Sequence, residues 1–241
     1  MSTTNTLSHD IADVLRNEIL RDRYHLGDRM PSERDLASRF GANRGAVREA
    51  MSQLEQLGII RIQPGGARVQ SINSAGLAIL GPLMALNEMP DPVLVEQFLH
   101  IFGTLSSLNA RNALPKANSD QIKKLQALVV PLSENADDFE AMEPHWRALL
   151  ETLGDIADNL VVRLISNDLK AQIVGQMMDI GISPKLKKSV GAELVGNLRI
   201  AFESRDGDLA AAAISTHFDH LRVAVTEAIN IKRSEVQTQA G

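Results

Sequence analysis

The chain contains no cysteine in 241 residues, which excludes disulfides and thiolate metal sites and suits a reducing compartment. Aromatic residues make up 3% of it while hydrophobic residues make up 44%. Its core must therefore come from Leu, Ile, Val, Ala and Met, a palette that favours helices. No apolar run approaches the ~20 residues needed to cross a bilayer. The opening MSTTNTLSHD also lacks the basic start and apolar run of a secretory leader. A soluble, cytoplasmic protein with no membrane partner is expected. HExxH, GxSxG and Gly-rich phosphate-loop patterns are missing too. The histidines His9, His25, His100, His145, His217 and His220 form no nucleophile–base constellation, so an enzyme is not expected.

Lysine is absent from the first 115 residues; the first is Lys116. Residues 1–72 carry ten arginines against nine acids, a balance of +1, whereas the rest holds 15 basic and 21 acidic residues, a balance of −6. The overall charge of −5 hides that asymmetry. Arginine presents a planar fork of donors matched to phosphates and guanine edges, where lysine offers a point charge. The first third is thus suited to an anionic partner.

Periodicity and breakers divide the chain. HDIADVLRNEILRDRY places Ile11, Val14, Leu15, Ile19 and Leu20 on one helical stripe, with Ser8 as its cap. PSERDLASRF starts a second helix, Ser32 as N-cap and Asp35 as its capping-box partner, with Leu36, Ala37 and Phe40 buried. After a Gly-Ala-Asn turn a third helix runs from about Arg44 to Leu57, with Val47, Ala50, Met51, Leu54 and Leu57 facing inward and Gly58 ending it. IIRIQPGGARVQSI then alternates around Pro64-Gly65-Gly66, a two-stranded hairpin signal. Three helices and a hairpin, with a short turn between the second and third helix, predict a winged helix-turn-helix. The expected architecture is mostly α: residues 1–71 form that domain, 72–88 a connector with a short apolar helix, 89–233 an all-helical bundle of six segments, and 234–241 a frayed tail. Pro115, Pro131 and Pro184 punctuate the bundle.

In a helix-turn-helix the second helix of the pair enters the major groove with its N-terminal residues at the base edges. Arg44 and Arg48 stand one turn apart at that position, with Gly45 and Ala46 keeping bulk low. A helix N-terminus adds N–H donors and the positive dipole end. The competing reading pairs Arg48 with Glu55 or Glu49 and leaves Arg44 solvated.

The run DRMPSERDLASRFGANRGAVREAMSQLEQLGIIRIQPGGARV resembles the GntR family of bacterial transcription regulators. Met30 replaces the family's leucine, and Asn43 its usual serine or threonine. The resemblance implies DNA contacts at Arg34, Arg44, Arg48 and Gly65, with Asn43 and Gly45 positioning the backbone. Pro64 removes a polar contact before the wing glycine, for which Arg68 is the substitute. The all-helical second domain resembles that of the FadR-type branch, where it supports homodimers and holds a small carboxylate or acyl thioester. Many members of that branch bind a metal through an Asp-x-x-x-His pair and two further histidines. Here His145 and His217 fit the first and last histidines, but Ala141 stands at the aspartate position and Val195 at the middle histidine. With two ligands missing, no metal or cofactor is expected. His145, His217, His220, Phe98 and Phe102 become candidate lining of an effector pocket, or else satisfied core residues. Asn159–Lys170 is similar in register to a helix of the acyl-CoA-responsive type. These features imply a ligand-responsive regulator of pseudo-palindromic operator DNA, working as a homodimer. A winged helix repurposed for protein interaction is the alternative.

Overall fold

The computed structural model describes residues 7–87, 89–134, 139–179 and 184–239. It divides into two compact units, Met1–Glu88 and Met89–Gly241.

The first unit comprises α1 (Leu7–Leu20), α2 (Glu33–Phe40), α3 (Arg44–Gln56), strands β1 (Ile60–Gln63) and β2 (Gly66–Val69), and α4 (Leu80–Met84). Ile11, Leu15 and Ile19 of α1 meet Leu36 of α2 and Val47, Ala50 and Leu54 of α3 in one core, with Ile59, Ile60, Ala67 and Val69 closing it from the hairpin. Met30, at the family's leucine position, is buried there too. Leu-to-Met exchange conserves volume, so the core tolerates it. Ser8 does not cap α1: it lies inside the helix and is buried, because helical backbone already begins at Leu7. Val14 is exposed rather than part of the stripe.

β1 and β2 pair antiparallel, Gln63 opposite Gly66, across a Pro64-Gly65 turn. Proline cannot take positive φ, so the turn has a type II layout with Gly65 supplying φ +96°. Segment 27–30 borders the other edge of β2: Met30 N–H donates to Ala67 O and Val69 N–H to Asp28 O, at 2.9 and 3.0 Å. Residues following the hairpin belong to the same unit, since Ile79, Ala75 and Leu83 pack on its core. Gly58 shows why. Its φ is +80°, and a Cβ there would lie 2.8 Å from Ser74 O, so only glycine admits the returning chain. Glu88, at the end of the expected connector, lies outside the described residues.

The second unit comprises α5 (Pro92–Ala113), α6 (Ser119–Glu134), α7 (Phe139–Ala157), α8 (Leu160–Asp179), α9 (Lys188–Ser204) and α10 (Gly207–Gln239). α10 packs on α5 and α9, α7 on α5 and α6, and α6 on α9. Pro131 does not punctuate: it sits inside α6. Val129 and Leu132 on either side of it are fully buried, and that burial holds the turn against the lost N–H. Nor does helix end before the tail, for α10 continues to Gln239. Ile229 is buried, and the Arg233 guanidinium donates to Pro90 O at 2.9 Å, which anchors the last turns.

Candidate functional site

The sequence signals for α2 and α3 translate into specific bonds. Ser32 Oγ accepts the Asp35 N–H at 3.2 Å and donates to the Asp35 carboxylate at 2.6 Å. That bond holds the Asp35 carboxyl below its usual range. Gly41 takes φ +59° and ends α2 by donating to Ala37 O. Asn43 then caps α3, its Oδ1 accepting from Ala46 N–H at 2.9 Å. A Cβ on Gly45 would stand 3.1 Å from that oxygen. Gly45 therefore leaves room for the cap as well as for a partner approaching the helix start.

Arg34, Arg44 and Arg48 are all exposed on this helix pair. The Arg34 side chain is 79% exposed, its Nε 3.7 Å from Asp35. Arg44 makes no hydrogen bond or ion pair among the described residues. Arg48 pairs with neither Glu49 nor Glu55. Its Nε and one Nη donate in parallel to the two oxygens of Glu33, at 3.1 and 3.0 Å. Those bonds, with lesser attraction from Arg48 and Arg44 charge, hold the Glu33 carboxyl below its usual range. Glu55 is committed elsewhere, accepting the Ile62 N–H at 2.6 Å. The Arg48 side chain remains 72% exposed. Its end-on fork, Nη1 with the second Nη2 hydrogen, is not used by Glu33, and a guanidinium can serve two planar partners at once. Glu33 is thus a site residue that spacing did not reveal: it lies 15 positions away and reaches Arg48 only through the packing of α2 on α3.

At the wing, nothing stands within 4 Å of a Cβ placed on Gly65, so the tip is open to a partner. Arg68 is exposed, but its Nη1 donates to Gly27 O at 2.9 Å. Arg39, by contrast, is structural. It forms two bonds of 2.9 and 2.6 Å to Glu18, a buried carboxylate of α1, whose pKa is lowered chiefly by them.

In the second unit, three of the five candidate pocket residues come together. Phe98 and Phe102 stack at 5.6 Å, and Phe102 meets Phe218 edge-on at 5.7 Å. His217 lies 4.7 Å from the Trp146 ring and 6.1 Å from Phe218. Phe218 fits between the helices because α5 has glycine at 103, where a Cβ would come 2.7 Å from the Phe218 Cβ. Trp146 and Phe218, neighbours in sequence of the two histidines fitting the family pattern, were not anticipated. His145 is half-buried and His220 exposed; among the described residues neither has a ring contact with this cluster. His217 is 2% exposed. Among the described residues, both its ring nitrogens and Trp146 Nε1 are buried and have no hydrogen-bond partner. Burial, and to a lesser extent charge on His220, pushes the His217 pKa down to about 4. The ring is therefore neutral at physiological pH. Ala141 is half-buried and Val195 buried at the positions lacking ligands. No group of three or more His, Cys, Asp or Glu among the described residues is arranged to hold a metal ion.

Residues 7–69 match the family model for bacterial regulatory proteins of the gntR family. An HTH-type transcriptional regulator of Mycobacterium tuberculosis is 26% identical over 211 residues, covering 85% of this chain and 87% of the relative. The fatty acid metabolism regulator protein of Shewanella oneidensis is 30% identical over 154 residues, covering 63% and 62%. The chain thus spans somewhat less than two thirds of that relative. Among solved structures, the Listeria monocytogenes protein Lar superposes with a TM-score of 0.54 at 17% identity, covering 93% of this chain and 98% of that one, a likeness of fold. The N-terminal domain, residues 7–69, thus belongs to the GntR family of bacterial regulatory proteins. No helix among the described residues is long and apolar enough to cross a membrane.

Proposed function

We propose that the chain is a ligand-responsive regulator that binds a pseudo-palindromic operator as a homodimer, its affinity modulated by a small metabolite. The observation that carries the DNA side is the start of α3. Arg44 and Arg48 stand one turn apart on an exposed helix end, beside a glycine whose missing Cβ allows close approach. Recognition helices of this class read base edges with those positions. Arg34 stands in the first turn of α2, and Asn43 and Gly45 set the backbone. Gly65 offers an unobstructed wing tip, with Arg68 behind it.

The effector side rests on the aromatic cluster. Phe98, Phe102, Phe218 and Trp146 supply apolar surface, while Trp146 Nε1 and neutral His217 are buried polar groups without a hydrogen-bond partner among the described residues. Such groups are costly unless something satisfies them. A carbonyl or carboxylate oxygen matches their donors, and an acyl chain matches the rings. Relatives named fatty acid metabolism regulators favour the acyl thioester over a bare carboxylate. Effector binding then shifts the population between forms that hold DNA well and poorly.

The test is selection of duplexes from a random library by the full-length protein, followed by gel shifts with Arg48→Ala. A base-reading arginine loses about tenfold or more on the selected duplex and little on random sequence. Equal loss on both makes Arg48 a phosphate contact. No preference by the unaltered protein, with or without long-chain acyl-CoA, removes the reading altogether.

A further inference from the structure

The wing hairpin carries an arrangement that the recognition helix does not explain. Arg61 of β1 is directly opposite Arg68 of β2. Arg68 is in turn bridged antiparallel to Arg29 on its other edge. The bonds flanking that bridge, Met30 N–H to Ala67 O and Val69 N–H to Asp28 O, make Arg29 and Arg68 a non-hydrogen-bonded pair, the kind in which facing side chains come closest. Directly opposed residues share a face of a sheet. Three arginine side chains therefore leave the backbone from one row across three neighbouring segments.

The row faces away from the core. Ile60, Ala67, Val69 and Met30, which alternate with these arginines, are buried, whereas Arg29, Arg61 and Arg68 are exposed. None of the three has an ion pair among the described residues. Carboxylates on the framing segments are engaged elsewhere: Asp28 with the His25 N–H at 2.7 Å, Glu55 with Ile62 N–H. Arg68 is tethered only to a neutral carbonyl, which leaves its charge intact. The row reaches the wing tip, because Gly66, at φ +123°, lets the Arg29 guanidinium lie where a Cβ would be, 2.9 Å from its Nε. Like charges set directly opposite one another are destabilising. Three in line without a carboxylate make a surface that gains from an extended anion.

We propose that Arg29, Arg68 and Arg61 form a phosphate-binding row on the outer face of the wing, with the sugar-phosphate backbone of duplex DNA as its partner. The inference rests on the DNA-binding reading and assigns the row to affinity, leaving sequence choice to α3. Each phosphate neutralised by an arginine releases counterions and steepens the fall of affinity with salt by about 0.9 in the log–log slope.

Full-length protein is titrated with a duplex it selected from a random library, and with a random duplex of equal length, over a salt series. The triple variant R29Q/R61Q/R68Q should lower the slope by about 2–3 on both duplexes and leave their affinity ratio unchanged. The triple lysine variant should keep the slope, since point charges release counterions equally. The unfolding midpoint of the glutamine variant should hold or rise, as like charges have been removed. An unchanged slope, a lysine variant that loses it, or a loss confined to the selected duplex overturns the proposal. If the unaltered protein binds neither duplex, the DNA-binding reading itself fails and the row falls with it. If it binds selectively with a steep slope that the glutamine variant shares, only the wing assignment fails.

Discussion

The two units handle polarity in opposite ways. In the first, the candidate functional groups are exposed arginines set on a small aliphatic core, and water screens them until a partner arrives. In the second, they are buried: a neutral histidine and an indole N–H enclosed among phenylalanines, with no hydrogen-bond partner for either among the described residues. Substitutions at the first kind of site should change binding and leave folding alone. Substitutions at the second should change folding first, because surroundings fixed by packing respond to every altered group.

The largest expected effect is at His217. Its folded-state pKa is about 4, against an ordinary value of 6.5, so between these values the unfolded chain binds the extra proton. Stability is fully present above about pH 6.5 and is lost as pH falls toward 4, by up to about 3 kcal/mol. Urea unfolding at pH 7 and pH 4 should show that loss in the unaltered protein. In His217→Phe and His217→Leu it should be smaller by a similar amount. An identical acid response in all three would mean that the ring is solvated, and the contrast between the units would weaken.

Gly103→Ala should come next. Its methyl group meets the Phe218 Cβ at 2.7 Å, and overpacking of this kind costs about 1–3 kcal/mol. A variant as stable as the parent would show that α5 and α10 can part easily and that the aromatic cluster is loosely held.

The first unit has one counter-example, and it sharpens the comparison. Glu18 is buried in α1 and bonded twice by Arg39. Its lowered pKa gives stability that is present above the ordinary carboxylate value and lost as pH falls through the folded one. Because the Arg39 side chain is 42% exposed, Glu18→Gln should cost only about 1 kcal/mol. Chemical unfolding at neutral pH measures it, and the difference from the parent should shrink in acid.

The same contrast governs what the sequence discloses. The cap at Ser32, the turn at Gly41, the glycine at 58, the hairpin turn and all six bundle segments are consequences of local spacing, and each stands where the pattern places it; the Asn43 cap was not among the expectations. Pro131 went otherwise because the burial of Val129 and Leu132, not local preference, decides that turn; Ser8, Val14 and the tail also departed from the local pattern. The arginines of α3 were legible as residues, but their state was not. Arg48 takes Glu33 rather than the sequence-near Glu49 or Glu55, a choice made by packing of α2 on α3. Trp146 and Phe218 carry no periodic signal that separates them from ordinary core. Likewise Arg29, Arg68 and Arg61 become a row only once the register of the hairpin and its border segment is known.

Glu33→Gln gives the smallest effect on folding and bears most directly on the α3 surface. The pair with Arg48 is exposed on both sides, so the unfolding midpoint should not move. Binding should respond in two ways. One anion facing the phosphates is removed, and Arg48 is released from a fixed orientation to follow whichever acceptor is nearest. Affinity for random duplex should rise a few-fold, and the salt slope on it should steepen by about 0.9, one more phosphate neutralised. Preference for the selected duplex should fall, because a guanidinium held at its Nε side presents its end-on fork at a fixed angle, and that pre-orientation is lost. In Arg48→Ala the second substitution should change preference no further, as expected of residues acting through one contact. A Glu33→Gln variant whose preference survives intact would show that the carboxylate merely parks Arg48 between encounters. Arg48 would then contribute to selectivity without needing orientation by Glu33.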